Sequence, residues 1–341
     1  MVLTLMASCL GSLLRPSGQE KPALALTDLP TFTREQLGLG GINLTTDLLV
    51  GARRANLEKI RERADRAGCS CLLLYETEAQ ELGMESEDEA NIRIGRLQRV
   101  VEAAQILGCS AVGAKVRCDL GDEAVEQCVD RLKIVVETAE KFDLNFLIAP
   151  SEGLTAEPER LTDLIKRVGG FRIGTLPDFQ VAMESKDPIT YLRRLTPYAS
   201  AVVATTIEFG EASSTPPPPP LPQPVAKAKT SKKEDPKKPT AKPKAEELLE
   251  DDDEGLEDLL EAIEAGVGAE AGEEEGGEEA PPPEPEYVHK TFDLPGLMNA
   301  VRSVGYDSNL SVNYRGPGDP TVGVTRSRKI LQRILASPLN E

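Results

Sequence analysis

Apolar positions along this chain fall in two alternating rhythms. Short continuous runs, such as CSCLLLY (Cys69–Tyr75) and AVVATTI (Ala201–Ile207), alternate with longer stretches whose apolar residues recur every three or four positions. A short unbroken apolar run predicts a strand buried on both faces. The spaced stretches predict amphipathic helices. Asp122–Phe142 is the clearest helix: Val125, Cys128, Val129, Leu132, Val136 and Ala139 form one stripe, with charges opposite.

Taken in order, the strands are predicted in Met1–Leu10, Gly41–Leu49, Cys69–Tyr75, Ser110–Val116, Asn145–Ala149, Phe171–Leu176 and Ala201–Ile207. Between them lie a loose helical stretch at Leu26–Leu37 and helices around Leu57–Ala67, Glu87–Leu107, Asp122–Phe142, Pro158–Val168 and Pro188–Leu195. Gly68, Gly108 and Gly169-Gly170 stand where these helices should stop, because glycine accepts the left-handed conformation of a helix C-terminus. The pattern resumes at Phe292 with a helix carrying Leu294, Leu297, Met298 and Val301. A turn at Gly305, a strand Leu310–Tyr314, a Gly/Pro loop and a helix from Asp319 to Ala336 follow. Eight strands alternating with eight helices predict a parallel (β/α)8 TIM barrel, because right-handed crossovers close such a sheet on itself.

The alternation is interrupted once. Five consecutive prolines (Pro216–Pro220) open a segment with a Lys/Pro block (Lys227–Lys244), then a Glu/Asp/Gly block running to Pro285. Such a composition cannot bury enough apolar surface to offset the entropy of ordering, so a disordered insertion is predicted over 211–288. It divides one barrel into 1–210 and 289–341, entering between the seventh strand and the seventh helix. Glu246–Ala265 carries Leu248, Leu249, Leu256, Leu259, Leu260 and Ile263 among acids. It reads either as a soluble spacer or as a transient helix for a protein partner.

Charge follows the same division. Of the formal −18 on 341 residues, −14 falls between Glu211 and Tyr287, where 22 acidic residues meet 8 lysines. The barrel portion, about 260 residues, matches the ~250 typical of this architecture. An acidic chain repels phosphate backbones, so no nucleic-acid partner is expected. No apolar run reaches the ~18 residues of a membrane span, so no membrane insertion is expected. Met1–Leu14 is apolar but lacks a basic start, and Leu3–Ala7 reads as a core strand rather than a leader. The six cysteines show no CxxC pair. They are expected to be reduced and mostly buried, which points to a cytoplasmic location. Cys69 and Cys71, on one strand face, leave a soft-metal site as a minor alternative.

Several segments carry a resemblance. Gly305-Tyr306-Asp307, Leu310-Ser311-Val312 and Gly318-Asp319-Pro320 resemble the closing motif of the xylose isomerase-like TIM barrels. AAQILGCSA (Ala103–Ala111), AEKFDLNFLIA (Ala139–Ala149) and VGGFRIGTLPD (Val168–Asp178) resemble that group's middle segments in order and spacing. The group includes sugar phosphate isomerases and epimerases. The resemblance implies a divalent metal (Mn, Mg or Zn) at the C-terminal mouth, held by Glu of strand five, Asp of strand six, His near strands six or seven, and Glu of strand eight. Two of those Glu residues would shuttle a proton between neighbouring carbons. At the matching positions this chain has Ala149, Asp178, Ala201/Val203/Thr205 and Asn313. Its single histidine is His289, beside the insertion. Asp178 is thus the metal position retained, with Glu152 as a nearby substitute, and the site is otherwise lost. No cofactor is expected unless the family site is kept.

Other polar residues mark the strand ends: Asp47, Glu76, Lys115, Arg117, Gln180, Glu208, Asn313 and Arg315. Glu76 and Lys115 are the candidate catalytic pair; Arg117, Asn313 and Arg315 are candidates for substrate binding. Lys115 and Arg117 suit a phosphate or carboxylate. The expected ligand is a small phosphorylated compound or a polyol. Three readings follow: an epimerase-like barrel with altered or lost metal chemistry, a non-catalytic scaffold recruiting a protein through 211–288, or a metal-independent lyase or isomerase.

Overall fold

The computed structural model describes residues 1–15, 21–212 and 286–338. Ten strands are found: β1 (Val2–Met6), β2 (Gly41–Thr45), β3 (Ser70–Glu81), β4 (Ala111–Arg117), β5 (Asn145–Ala149), β6 (Ile173–Thr175), β7 (Ala201–Thr206), β8 (Phe209–Glu211), β9 (Tyr287–His289) and β10 (Asn309–Tyr314). Their helices are α1 (Gly11–Leu14), α2 (Leu29–Glu35), α3 (Arg54–Ala67), α4 (Glu87–Leu107), α5 (Asp122–Lys141), α6 (Pro158–Val168), α7 (Phe179–Glu184), α8 (Pro188–Leu195), α9 (Leu294–Arg302) and α10 (Pro320–Ala336).

Eight strands form one parallel sheet in the order β6-β5-β4-β3-β2-β1-β10-β7. The two end strands meet through bridges at Thr175/Ala199 and Asp178/Val203. There the Val203 amide donates to the Pro177 carbonyl at 2.8 Å. The ring is a (β/α)8 TIM barrel with its seam between β6 and β7. The seam is tight because Gly174 lies against the Tyr198 carbonyl, where a Cβ would have no room.

Alternation along each strand splits the interior in two. Outward residues such as Leu310, Val312 and Tyr314 of β10 join the large core between sheet and helices. Inward residues form a smaller cluster of Met6, Leu73, Ala111, Leu147, Ala149, Leu176, Ala201 and Val203. One end of the barrel is filled by polar side chains instead. Asn43 Nδ2 donates to Thr4 Oγ1 at 2.9 Å and to Ser311 Oγ at 2.7 Å, and Asn309 joins the cluster through Thr4. Every member is buried and bonded, so this polar plug is tolerated.

Helix ends behave as their sequences predict. Gly68 and Gly108 take φ of 59° and 77° and close α3 and α4. Asp178, Asp187, Asp293 and Asp319 cap α7, α8, α9 and α10 through their carboxylates.

Some boundaries differ from expectation. The first two strands stop at Met6 and Thr45 and turn at once into short 3-10 segments. β3 runs on to Glu81 through a register shift between Glu76 and Gln80. β6 is shorter than predicted, because Gly169 and Gly170 hold positive φ and leave Phe171 wholly exposed before the strand begins. The ladder β8/β9 was not anticipated. Its antiparallel pairs, Phe209/His289 to Glu211/Tyr287, tie together the two ends of the predicted insertion. Residues 213–285, including the Leu-rich stretch Glu246–Ala265, lie outside the described residues. All six cysteines are free thiols, five of them buried. Among the described residues no helix is long and apolar enough to cross a membrane.

Candidate ligand site at the barrel mouth

The C-terminal ends of the strands surround a cavity of about 690 Å³. That volume lies in the range of small-molecule sites. Inward-facing positions supply its wall: Thr45 of β2, Tyr75 and Thr77 of β3, Lys115 of β4, Ala149 of β5, Val203 of β7 and Asn313 of β10. Leu176, Asp178 and Arg315, just beyond β6 and β10, complete it. Tyr75 fits because β4 has Gly113 beside it; a Cβ there would stand 2.9 Å from Tyr75 Cδ2 and 2.8 Å from Leu176 Cδ2. Burial raises the Tyr75 phenol above its ordinary value, so it stays a neutral hydroxyl.

Asp178 is the centre of the polar wall. Its Oδ1 accepts the Gln180 amide at 2.8 Å, the cap of α7. The Thr205 side chain also hydrogen-bonds it. Asn313 Nδ2 in turn donates to Thr205 Oγ1 at 3.0 Å. Arg315 Nη2 lies 3.9 Å from Asp178 Oδ2, and its Nη1 donates to Gln180 Oε1 at 3.0 Å. Burial nevertheless raises the Asp178 carboxyl above the usual carboxylate value, against the lowering by Arg315, Thr205 and the Gln180 amide. The carboxylate is therefore part of the frame as well as of the cavity.

Lys115, Asp178, Asn313 and Arg315 are brought to one cavity, as the strand-end reading expected. Glu76 is not, and its pairing with Lys115 is corrected. It is the residue after inward-facing Tyr75, so it turns to the helix layer. There it is 1% exposed and bound by Arg96 Nε at 2.8 Å and Nη2 at 3.2 Å. Thr46 Oγ1 and the Glu78 amide fill its remaining acceptor sites. Arg117 and Glu152 pair with each other at an exposed rim instead of entering the cavity. The expectation that Arg117 joins Lys115 around one anion, and that Glu152 replaces a metal ligand, is corrected on that geometry.

His289 also lies elsewhere. Its Nε2 accepts the Ile207 amide at 3.0 Å and its Nδ1 lies 3.1 Å from the Phe292 carbonyl. That pairing puts the proton on Nδ1, and burial holds the ring neutral, its pKa lowered to about 4. Both nitrogens are occupied in closing the β8/β9 ladder. Cys69 and Cys71 are buried, with thiols pushed up to about 11 and about 12. Among the described residues no group of three His, Cys, Asp or Glu side chains is placed to hold a metal ion. In the mouth Ala149 and Val203 offer no metal ligand, and Asn313 offers only a neutral one.

Tyr75, Thr77 and Cys9 are cavity residues that strand-end reading missed. Counting back by two from Thr77 to Tyr75 and Leu73 would have found the first two. Cys9 lies in a 3-10 turn, Ala7–Leu10, whose direction no periodicity encodes. Cys9 is half-buried, and desolvation pushes its thiol up to about 12, which disfavours the thiolate.

No protein-family profile matches this chain, and no curated protein matches its sequence. Solved structures do match its fold. The 3-keto-D-glucoside 4-epimerase of E. coli superposes with a TM-score of 0.60 at 10% identity, covering 98% of this chain and 99% of that one. An L-ribulose 3-epimerase gives 0.62 at 11% identity, covering 98% and 94%. A xylose isomerase domain protein from Planctomyces limnophilus gives 0.57 at 10% identity, covering 97% and 95%. The chain therefore has the xylose isomerase-like TIM-barrel fold.

Proposed function

We propose that the chain binds a small polyhydroxylated molecule in the barrel mouth without metal-assisted proton transfer. The observation that carries this reading is the pair Ala149 and Asn313. Both line the cavity where the fold resemblance calls for carboxylates. An alanine accepts no proton, and a neutral amide cannot act as a general base at the substrate carbon. Asn313, Thr205 and Asp178 instead form a chain of hydrogen-bonding groups suited to hydroxyls. Tyr75 and Leu176 supply the apolar contact that a sugar carbon skeleton uses.

The test joins two measurements on the full-length protein. Metal content is determined after purification, and D-glucitol and D-fructose are titrated calorimetrically with and without Mn²⁺. Binding that is independent of metal, with no exchange of carbon-bound hydrogen from fructose in D₂O, supports the reading. A stoichiometric bound ion, or metal-dependent exchange, overturns it.

A second reading, a scaffold that recruits a protein through the charged insertion, draws support from the β8/β9 ladder. That ladder joins the two ends of the insertion, and its Phe209 stacks on Tyr314 of β10, ring centroids 5.9 Å apart. Replacing 213–285 with a short Gly/Ser linker separates the readings: the mouth reading requires unchanged glucitol binding in that variant.

A further inference from the structure

We infer that the ligand of the mouth carries an anionic group, and that Lys115 is the residue that anchors it. This rests on the mouth being the ligand site. Four charged side chains line the cavity: Asp47, Lys115, Asp178 and Arg315. Three of them have their charge accounted for. Arg315 is shared between Asp178 and Gln180, and Asp178 is held by three neighbouring groups, Arg315, Thr205 and the Gln180 amide. Asp47 is exposed at the rim, where water solvates it.

Lys115 is different. It is half-buried on β4, and its amine has no hydrogen bond or ion pair with any described residue. A cation drawn partly out of water without a partner is unfavourable, and a ligand oxyanion would relieve that. Its surroundings point the same way. Ala149, its register partner on β5, brings no competing charge, and Tyr75 and Thr77 on neighbouring β3 bring hydroxyls that can donate to the same anion.

Strand order sets the length of the ligand. In the ring, β4 and β10 are separated by β3, β2 and β1 on one side, and so lie across the barrel from each other. A molecule with its anion at Lys115 would direct its hydroxyls toward Asn313 and Asp178, which line the cavity away from β4. The class is an acyclic or cyclic polyol bearing a terminal carboxylate or phosphate. Both anions present the same oxygens to an ammonium group.

Three probes of one carbon skeleton test this on the full-length protein by calorimetry: D-glucitol, D-gluconate and D-glucitol 6-phosphate. The expected result is that at least one anion binds about tenfold or more tightly than glucitol, the scale of one charge-assisted hydrogen bond. Which anion gains decides between carboxylate and phosphate. In Lys115→Gln the preference for the anion over glucitol should disappear; in Lys115→Arg it should persist. Raising NaCl should weaken only the anion. Equal binding of all three probes, or a preference that survives Lys115→Gln, overturns the Lys115 assignment and leaves the mouth reading standing. No binding of any probe overturns both.

Discussion

Arg315 Nη2 stands 3.9 Å from Asp178 Oδ2 across the β6/β7 seam side of the mouth, while its other nitrogen holds Gln180. This contact joins the end of β10 to the cap of α7. It means that the Asp178 carboxylate is already committed as a structural acceptor. Arg315 is half exposed, so solvent screens much of the attraction, and the directed hydrogen bonds to Asp178 carry more of its hold than the ion pair does.

Asp178 therefore separates charge from capping. Asp178→Asn keeps an acceptor for the Gln180 amide and should change stability by less than about 1 kcal/mol, whereas Asp178→Ala removes the cap and should cost about 1 kcal/mol. The pH dependence gives a sharper sign. The folded carboxyl is raised, so its contribution is fully present below the unfolded value of 3.8 and is lost as pH rises through the folded value. Urea melts of wild type and Asp178→Asn across acid to neutral pH should differ by that slope. Parallel curves would contradict it.

His289 has the opposite sign. Its folded pKa lies near 4 against 6.5 for the free side chain, so below 6.5 the unfolded chain takes up a proton that the folded chain refuses. Stability should fall as pH drops from about 6.5 toward 4, by an amount on the order of 3 kcal/mol at most. His289→Gln, which can still accept the Ile207 amide, should abolish that loss. Chemical denaturation at pH 7 and pH 4.5 reads the difference.

Adding acids to the mouth should create a metal site. In Ala149→Glu/Asn313→Glu two carboxylates join Asp178 in one cavity. Mn²⁺ at a hundredfold excess over its dissociation constant would then stabilise the fold by about 2.7 kcal/mol. Thermal melts with and without Mn²⁺ should shift for the double variant and not for wild type. A wild-type shift of equal size would contradict the proposed metal-independent reading of the mouth.

Glu76 is predicted to matter for stability alone. Glu76→Ala leaves Arg96 without its buried partner and should cost about 1 to 3 kcal/mol, moderated because Arg96 is partly solvated. Ligand affinity in the mouth should not change. A variant that folds normally but loses binding would return Glu76 to the site.

Gly113 tests the packing of Tyr75. A methyl at 113 meets Tyr75 and Leu176 within 3 Å, so Gly113→Ala should destabilise by about 1 to 3 kcal/mol and narrow the mouth. Gly113→Ala combined with Tyr75→Ala should recover part of that cost. Urea denaturation of the four proteins of this cycle measures the coupling.

Much of this was legible in the residue order. Continuous apolar runs require burial on both faces, and helical stripes of the right length require a neighbour, so the alternating barrel follows from local chemistry alone. Helix stops at Gly68 and Gly108 follow from backbone sterics, and that Ala149 and Asn313 carry no charge is read directly from the residue order. What no local rule contains is direction. Whether Glu76 faces the cavity or Arg96, and whether Arg117 serves a ligand or Glu152, depends on strand twist and on which helix packs behind. The pairing of β8 with β9 joins segments far apart in the chain, and with it His289 becomes a buried acceptor and no ligand. Those choices are made by which long-range partner satisfies each polar group at lowest desolvation cost, and only the folded ring brings the partners together.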